Sequence, residues 1–191
     1  MWLMKGKEIL AEKDSLIEWI KKSRDGDMKA FESIYEHFKS PVFNLVYRYT
    51  KNHTIAEDLV HDIFLKAFTN IKKLREEKVF VNWLYRIAIN TCLDHLRKNK
   101  KEKLDVSFND GKDYAQIHTN ARENVIKNEI LELAIEKLPL KMKTVFLLHD
   151  VQGFKHKEIA KILKCSVGTS KSQLFKARKK IREYLIKKKG I

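Results

Sequence analysis

The chain has 191 residues, enough for one medium domain or two small ones, each with a modest core. With 43% hydrophobic and 34% charged residues but only 6 Gly and 2 Pro, the composition is that of a folded soluble protein and argues against a turn-rich β fold. Lys and Arg number 40 against 25 Asp and Glu, a formal net charge of +15, so a polyanionic partner is expected, nucleic acid ahead of a membrane surface.

The first residues, MWLMKGKEILAEKD, hold no apolar run long enough for a signal peptide or a membrane span, and a cytoplasmic location is expected. From Asp14 to Phe38, Leu16, Ile17 and Ile20, then Met28, Phe31, Ile34, Tyr35 and Phe38, recur at steps of three and four, with Asp25, Gly26 and Asp27 between them. That pattern predicts two amphipathic helices around a turn. The aromatic VFNLVYRY after Pro41 has the composition of a strand, but Phe43, Val46 and Tyr47 favour helix.

In TIAEDLVHDIFLKAF, Thr54 and Glu57 read as a Thr-x-x-Glu capping box. Ala56, Leu59, Val60, Ile63, Phe64, Ala67, Phe68 and Ile71 make a broad core stripe, leaving Glu57, Asp58, His61, Asp62 and Leu65 outside it. Asp58 and Asp62, one turn apart beside Leu65, form a negative and partly apolar patch. Such a patch repels DNA and suits a protein partner with basic side chains. Glu57 and Asp58 also have a simpler reading, as charges that favour the helix dipole.

On a helical wheel, WLYRIAINTCLDHLRK (Trp83 to Lys98) has two faces. Leu84, Tyr85, Ala88, Ile89, Cys92 and Leu96 form an apolar one, while Trp83, Arg86, Asn90, Asp94 and Arg97 gather on the other, followed by Lys98, Lys100, Lys101 and Lys103. Rings to stack on, amides to read base edges and cations to hold phosphates are what unpaired bases need, so this face suits a separated DNA strand. The same spacing also fits Trp83 as a half-buried packing residue, Arg86 paired with Asp94 or a neighbouring acid, and Asn90 idle.

From about Asn99 to Asn124 the period breaks, and Asp105, Asp110, Asp113 and Glu123 outnumber Lys112 and Arg122 between Leu104 and Asn124. With a turn signal at Asn109, Asp110 and Gly111, this stretch reads as a linker. Helical patterns then resume, giving four helices on each side. Toward the C-terminus, Ile159, Ala160, Ile162 and Leu163 bury one face of a short helix, KCS makes a tight turn, and Ser166 caps a second helix. In that helix Val167, Ser170, Leu174, Ala177 and Ile181 step inward, with Thr169, Lys171, Ser172, Gln173, Phe175, Lys176 and Lys179 outward. This is a helix-turn-helix whose outward mixture suits a DNA major groove; the plainer alternative is a charged surface helix that touches nothing.

Cys92 and Cys165 have no CxxC or Cys/His ligand spacing and read as reduced, buried small hydrophobes. The 7 His are scattered, no HxxxH pair or Gly-rich phosphate loop occurs, and Asp25-Gly26-Asp27 reads as a turn rather than a DxD-type metal cluster. No metal, cofactor, catalytic group or small-molecule substrate is therefore expected, and an enzyme acting on nucleic acid is the weaker rival.

The string LPLKMKTVFLLHDVQGFKHKEIAKILKCSVGTSKSQLFKARKKIR resembles the fourth conserved region of bacterial sigma factors of the extracytoplasmic-function (ECF) group. AEDLVHDIFLKAF and FVNWLYRIAINTCLDHLRK, with GDMKAFESIYEHF before them, resemble the second region. Departures are Lys143 for a usual arginine, Lys164 for the turn glycine, Ser170 for a valine and Gln173 for a frequent arginine. A left-handed Lys164 would cost roughly 1 kcal/mol.

The resemblance implies an all-α protein of two small helical domains joined by a flexible linker, residues 1–100, 101–123 and 124–191. It implies a transcription initiation factor that docks on core RNA polymerase through Asp58, Leu59, Asp62 and Leu65. Trp83, Arg86, Asn90, Asp94, Arg97 and Lys98 would hold the melted minus-ten non-template strand, with Glu77 to Asn82 as a loop that pockets a flipped base. Thr169, Lys171, Ser172, Gln173, Phe175, Lys176 and Lys179 would read the minus-thirty-five duplex. Core polymerase, promoter DNA and an anti-sigma factor are the implied partners. The competing reading is a helix-turn-helix repressor or activator that works without polymerase.

Overall fold

The computed structural model describes residues 6–105 and 122–189, with side chains over 14–99 and 129–188. Among these residues every regular element is helical. The chain divides into two units, Met1–Asn109 and Asp110–Ile191, and each carries four α-helices among the described residues.

The first unit comprises α1 (Gly6–Arg24), α2 (Met28–Thr50), α3 (His53–Asn70) and α4 (Phe80–Asp105). The expected turn between α1 and α2 is present: Gly26 takes a φ of 101°, and the Asp27 carboxylate accepts from the backbone N–H of Lys29 (2.9 Å) and Ala30 (3.2 Å). A positive φ suits glycine, and an aspartate at the N-cap satisfies donors that the first turn leaves open. Pro41 does not divide the next segment as the sequence suggests; α2 runs through it. Ala30, Phe31, Ile34 and Phe38 before the proline, and Val42, Leu45, Val46 and Tyr49 after it, are all buried, so core packing on both sides outweighs the backbone bond a proline cannot make.

The capping box at Thr54 and Glu57 is likewise corrected. The N-cap is Asn52, whose side chain accepts from the Ile55 N–H at 3.0 Å, following Lys51 at a φ of 54°. The helix therefore starts earlier than the box requires; Glu57 lies beyond the first turn and pairs with His53 at 3.2 Å.

Between α3 and α4 the chain makes two 3-10 turns, Ile71–Lys73 and Glu77–Val79, and enters α4 at once. The stretch expected as a loop, Glu77 to Asn82, is thus a tight turn followed by the first residues of a helix. Two contacts hold it. Phe80 is completely buried with its ring 6.0 Å from that of Phe38, and Arg24 donates to Glu77 at 2.6 Å, tying the end of α1 to the turn. The Glu77 carboxyl is held below the usual range first by its own backbone N–H and then by Arg24 and Lys21.

Helix α4 continues to Asp105 and the next helix begins at Arg122, so the aperiodic stretch starts and ends in helix. The turn read at Asn109, Asp110 and Gly111, together with Lys112 and Asp113, lies outside the described residues.

The second unit comprises α5 (Arg122–Glu136), α6 (Leu140–Phe146), a π-helical turn (Leu147–Val151), α7 (His156–Leu163) and α8 (Val167–Lys189). Pro139 caps α6, and Gly153, at a φ of 78°, makes the turn toward α7. Between α7 and α8 the Lys164 backbone is left-handed (φ 51°, ψ 50°) with its N–H donating to Ala160 O. Ser166 Oγ accepts from the Thr169 N–H at 2.9 Å, as an N-cap should. Ile159, Ile162, Ser170, Leu174, Ala177 and Ile181 are buried, the expected helix-turn-helix seam; Ala160, Leu163, Val167 and Cys165 are only half-buried, because each lies at the edge of that seam.

A polar chain crosses this seam. Ser170, fully buried, sits with its Oγ 2.9 Å from His156 Nδ1, and the His156 ring lies 4.6 Å from that of His149. His149 Nδ1 is 2.7 Å from Asp150 Oδ1, and Arg178 on α8 grips Asp150 with Nε and Nη2 at 2.9 and 2.7 Å. Burial first, then the positive neighbours His149, Lys171 and Arg178, push the His156 pKa down, against a smaller opposing pull from Asp150. Asp150 is raised by burial but brought net below the carboxylate range by Arg178 and His149.

Two outcomes are expected. Lys164→Gly should raise the stability of the full chain by about 1 kcal/mol in thermal or chemical denaturation, since it relieves a left-handed side chain. Because folding disfavours the His156 imidazolium, the folded state holds fewer protons than the unfolded chain just below the ordinary histidine pKa of about 6.5. Stability is then complete above that value and declines as pH falls through the window beneath it. Melting followed by circular dichroism should show this decline, and His156→Gln should flatten it.

Candidate nucleic-acid and polymerase interfaces

Helix α3 has a buried side and a crest. Ala56, Val60, Ile63, Phe64 and Ala67 are packed inward, while Asp58 and Leu65 are exposed and Asp62 partly so. Leu65 shows 54% of its surface to solvent, more than an aliphatic side chain on a core helix usually does. Leu59 is half-buried on the flank of the same helix. Asp58, Asp62 and Leu65 therefore form one acidic ridge with an apolar tip, as the sequence pattern suggested.

The ridge lies between two depressions. One, of about 580 Å³ between α2 and α3, is lined by Tyr35, Lys39, Phe43, His53, Glu57 and His61. The other, of about 370 Å³ between α3 and α4, is lined by Lys66, Asn70 and Lys73 on one side and by Trp83, Asn90 and Asp94 on the other. This second groove is the one whose side chains suit nucleic acid: a half-exposed indole, two amides and two lysines along an open trough.

Helix α4 builds its half of the groove because its opposite face is core. Leu84, Tyr85, Ala88, Ile89 and Cys92 are buried, whereas Asn90 and Asp94 are exposed; Leu96, expected in the core, is half-buried near the end of the packed segment. The Trp83 ring leans on Phe80 at 5.8 Å, which fixes its orientation from beneath. Asp94 does not pair with Arg86; it takes Arg97 at 2.9 Å, one turn along the same face. Arg86, Arg97 and Lys98 are on α4 beside the groove rather than lining it, with Arg97 and Lys98 exposed and Arg86 half-buried.

The groove's other wall went unread in the sequence. Lys66, Asn70 and Lys73 follow Asp62 at steps of four, four and three, the spacing of one helical face, and nothing local separates such a stripe from an ordinary solvated surface. Lys66 Nζ donates to Asp62 Oδ2 at 2.8 Å and to Thr91 Oγ1 of α4 at 3.3 Å; Lys73 Nζ donates to Asn70 Oδ1 at 2.9 Å.

In the second unit α8 presents Thr169, Lys171, Ser172, Phe175, Lys176 and Lys179 as exposed residues, with Gln173 half-buried at the edge of the seam. Phe175 is 71% exposed, beside buried Leu174. The Thr169 and Ser172 hydroxyls are held within the helix start, at 2.9 Å from Ser166 Oγ and 3.0 Å from Thr169 O. Cations, hydroxyls and one bare aromatic ring on a helix that follows a tight turn make a surface suited to phosphates and base edges.

No helix among the described residues is long and apolar enough to cross a membrane, and those residues bring together no group of three or more metal-ligating side chains.

Comparison with known proteins matches a family model to each unit. The Sigma-70 region 2 model matches residues 34–102, and the Sigma-70, region 4 model matches residues 128–181. The ECF RNA polymerase sigma-E factor of Haemophilus influenzae is 32% identical over 85% of this chain and 90% of its own length. The ECF RNA polymerase sigma factor SigW of Bacillus subtilis is 32% identical over 87% of this chain and 94% of its own. Among solved structures, the sigma factor RpoE of Bartonella quintana in complex with the anti-sigma factor NepR has a TM-score of 0.70 at 22% identity, covering 83% of this chain and 98% of that one. CnrH in complex with the cytosolic domain of CnrY also scores 0.70, at 19% identity over 90% and 97%. At such identities the two structures speak for the fold, while the sequence relatives carry the family. The chain belongs to the ECF RNA polymerase sigma factors, transcription initiation factors that direct RNA polymerase to promoters.

Proposed function

We propose that the first unit docks on core RNA polymerase through the α3 ridge of Asp58, Leu59, Asp62 and Leu65 and holds the melted minus-ten strand along α4, while the second unit reads the minus-thirty-five duplex with α8. The observation that carries this reading is the α3–α4 groove, where an indole packed on Phe80 stands beside the Asn90 amide, with Lys66 of α3 and Lys73 of the 3-10 turn after it on the facing wall. Stacking on an aromatic ring contributes roughly 1–3 kcal/mol per base. Arg86, Arg97 and Lys98 extend the cationic track along the helix, and Asp94 orients Arg97 through its ion pair.

On α8, Lys171, Lys176 and Lys179 take phosphates, Thr169 and Ser172 exchange their internal bonds for DNA oxygens, and Gln173 and Phe175 meet base edges. The functional modules are residues 1–100 and 124–191, with 101–123 as the tether between them. Each contact is weak alone. They become adequate when polymerase presents both units at once, because tethering raises effective concentration. The acidic ridge belongs to this division of labour: in a chain of net charge +15 it is a place where DNA is repelled and a basic protein surface attracted.

This reading places the chain in the cytoplasm with its polymerase, in a role that is regulatory rather than catalytic. The solved relatives CnrH and RpoE are bound to CnrY and NepR, and an anti-sigma factor covering the polymerase-docking surface is proposed for this chain as well. Family membership weighs against a repressor acting without polymerase.

The first test mixes the protein with bacterial core polymerase, transcribes genomic DNA and sequences the transcripts: new start sites should share two spaced elements. Asn90→Ala, which costs an exposed helix nothing in propensity, should weaken open-complex formation by about five-fold while leaving duplex binding unchanged. Asp62→Lys should impair association with core polymerase instead, measured by gel filtration or fluorescence polarisation. Equal loss of duplex binding in both variants would contradict the assignment.

A further inference from the structure

The lysine in the groove wall is shared between the two proposed surfaces. Lys66 Nζ bonds Asp62 on the polymerase ridge at 2.8 Å and Thr91 in the groove at 3.3 Å, and Lys66 and Thr91 both line the trough that holds Trp83 and Asn90. The Lys66 and Asp62 side chains are 48% and 50% exposed, so their ion pair is solvated and exchangeable rather than locked. Lys73, two turns further along the same face, bonds among the described residues only the neutral Asn70 side chain, at 2.9 Å, and is exposed. The trough therefore presents two ammonium groups on the wall opposite an indole and an amide, the kinds of group that hold a phosphodiester backbone beside a stacked base.

We propose that Lys66 is a phosphate-binding residue of the separated strand, and that its ammonium passes from Asp62 to a phosphate when polymerase engages Asp62. This rests on the assignment of the α3 ridge to polymerase and of the groove to the minus-ten strand. While Asp62 holds Lys66, its carboxylate neutralises most of the ammonium's charge, so a phosphate gains little from approaching it. Occupying Asp62 with a basic group of the partner removes the carboxylate's hold on Lys66 and leaves the lysine beside the groove with its charge uncompensated. Docking at the ridge thereby strengthens strand capture one helical turn away, by transfer of a single charge and without a change of fold. In the unbound factor the same pair keeps the groove's affinity for single strands low.

The test uses the chain in complex with core polymerase and a fluorescent single-stranded oligonucleotide, taken from the non-template strand of a promoter the wild type selects in the start-site experiment. Lys66→Met should weaken strand binding by roughly 5- to 10-fold and make the salt dependence shallower by about 0.7 in log–log slope, the signature of one lost phosphate contact. Lys66→Arg should restore most of both, and association with core polymerase should match wild type. With the free chain, Asp62→Asn should tighten strand binding about two- to five-fold, and that gain should vanish in the Lys66→Met background. An unchanged salt slope in Lys66→Met, or an equal Asp62→Asn gain in both backgrounds, overturns the proposal while the strand reading stands. If the wild-type complex fails to bind the strand at all, the assignment of the groove fails and takes this inference with it.

Discussion

The burial of Phe80 is the contact on which the functional half of the first unit depends. Its ring is fully enclosed, meets Phe38 of α2 at 6.0 Å and supports Trp83 at 5.8 Å, so the side chain that anchors α4 to the core is also the one that sets the indole at the groove. Burying a phenylalanine contributes about 1.5–3 kcal/mol, enough to begin a helix directly after a tight turn where the family resemblance implies a loop. Arg24 and Glu77 add a tie from α1 to the same turn. Positioning by a packed aromatic means that the proposed nucleic-acid surface inherits the rigidity of the core beneath it.

The second unit solves a comparable problem with polar chemistry. A recognition helix must be held at one angle while its outer face stays free. Here apolar burial along Leu174, Ala177 and Ile181 is joined by the Ser170 to His156 bond, the paired imidazoles and the Asp150 to Arg178 fork. Ser170 is the buried member, and a buried hydroxyl needs a partner of the right geometry, so its bond to His156 restricts the packing more than an apolar contact would. The Asp150 to Arg178 fork closes the arrangement at the surface. The left-handed Lys164 is the strained element, tolerated because the helices on both sides of the turn are packed.

Charge is partitioned rather than uniform. The basic excess suits DNA, yet α3 carries an acidic crest between two depressions, and the ion pair of Lys66 with Asp62 joins that crest to the groove. Under the proposed assignment, polymerase and DNA engage neighbouring faces of one helix, which calls for opposite signs within a turn of each other. Helical spacing supplies this, since residues four apart stand side by side.

Helical period was enough to reveal the two-faced α4, the acidic ridge of Asp58, Asp62 and Leu65, and the helix-turn-helix with its Ser166 cap, because spacing of three and four reports which residues share a face and needs no knowledge of what lies opposite. Tertiary structure decided the rest. It carried α2 through Pro41 by burying both sides, gave the α3 cap to Asn52 instead of Thr54, turned the expected loop before Trp83 into helix through Phe80, and paired Asp94 with Arg97 rather than Arg86. Most of all it set Lys66, Asn70 and Lys73 across from Trp83 and Asn90. That juxtaposition arises from how two helices pack against a common core, a non-local fact that no pattern within either helix contains.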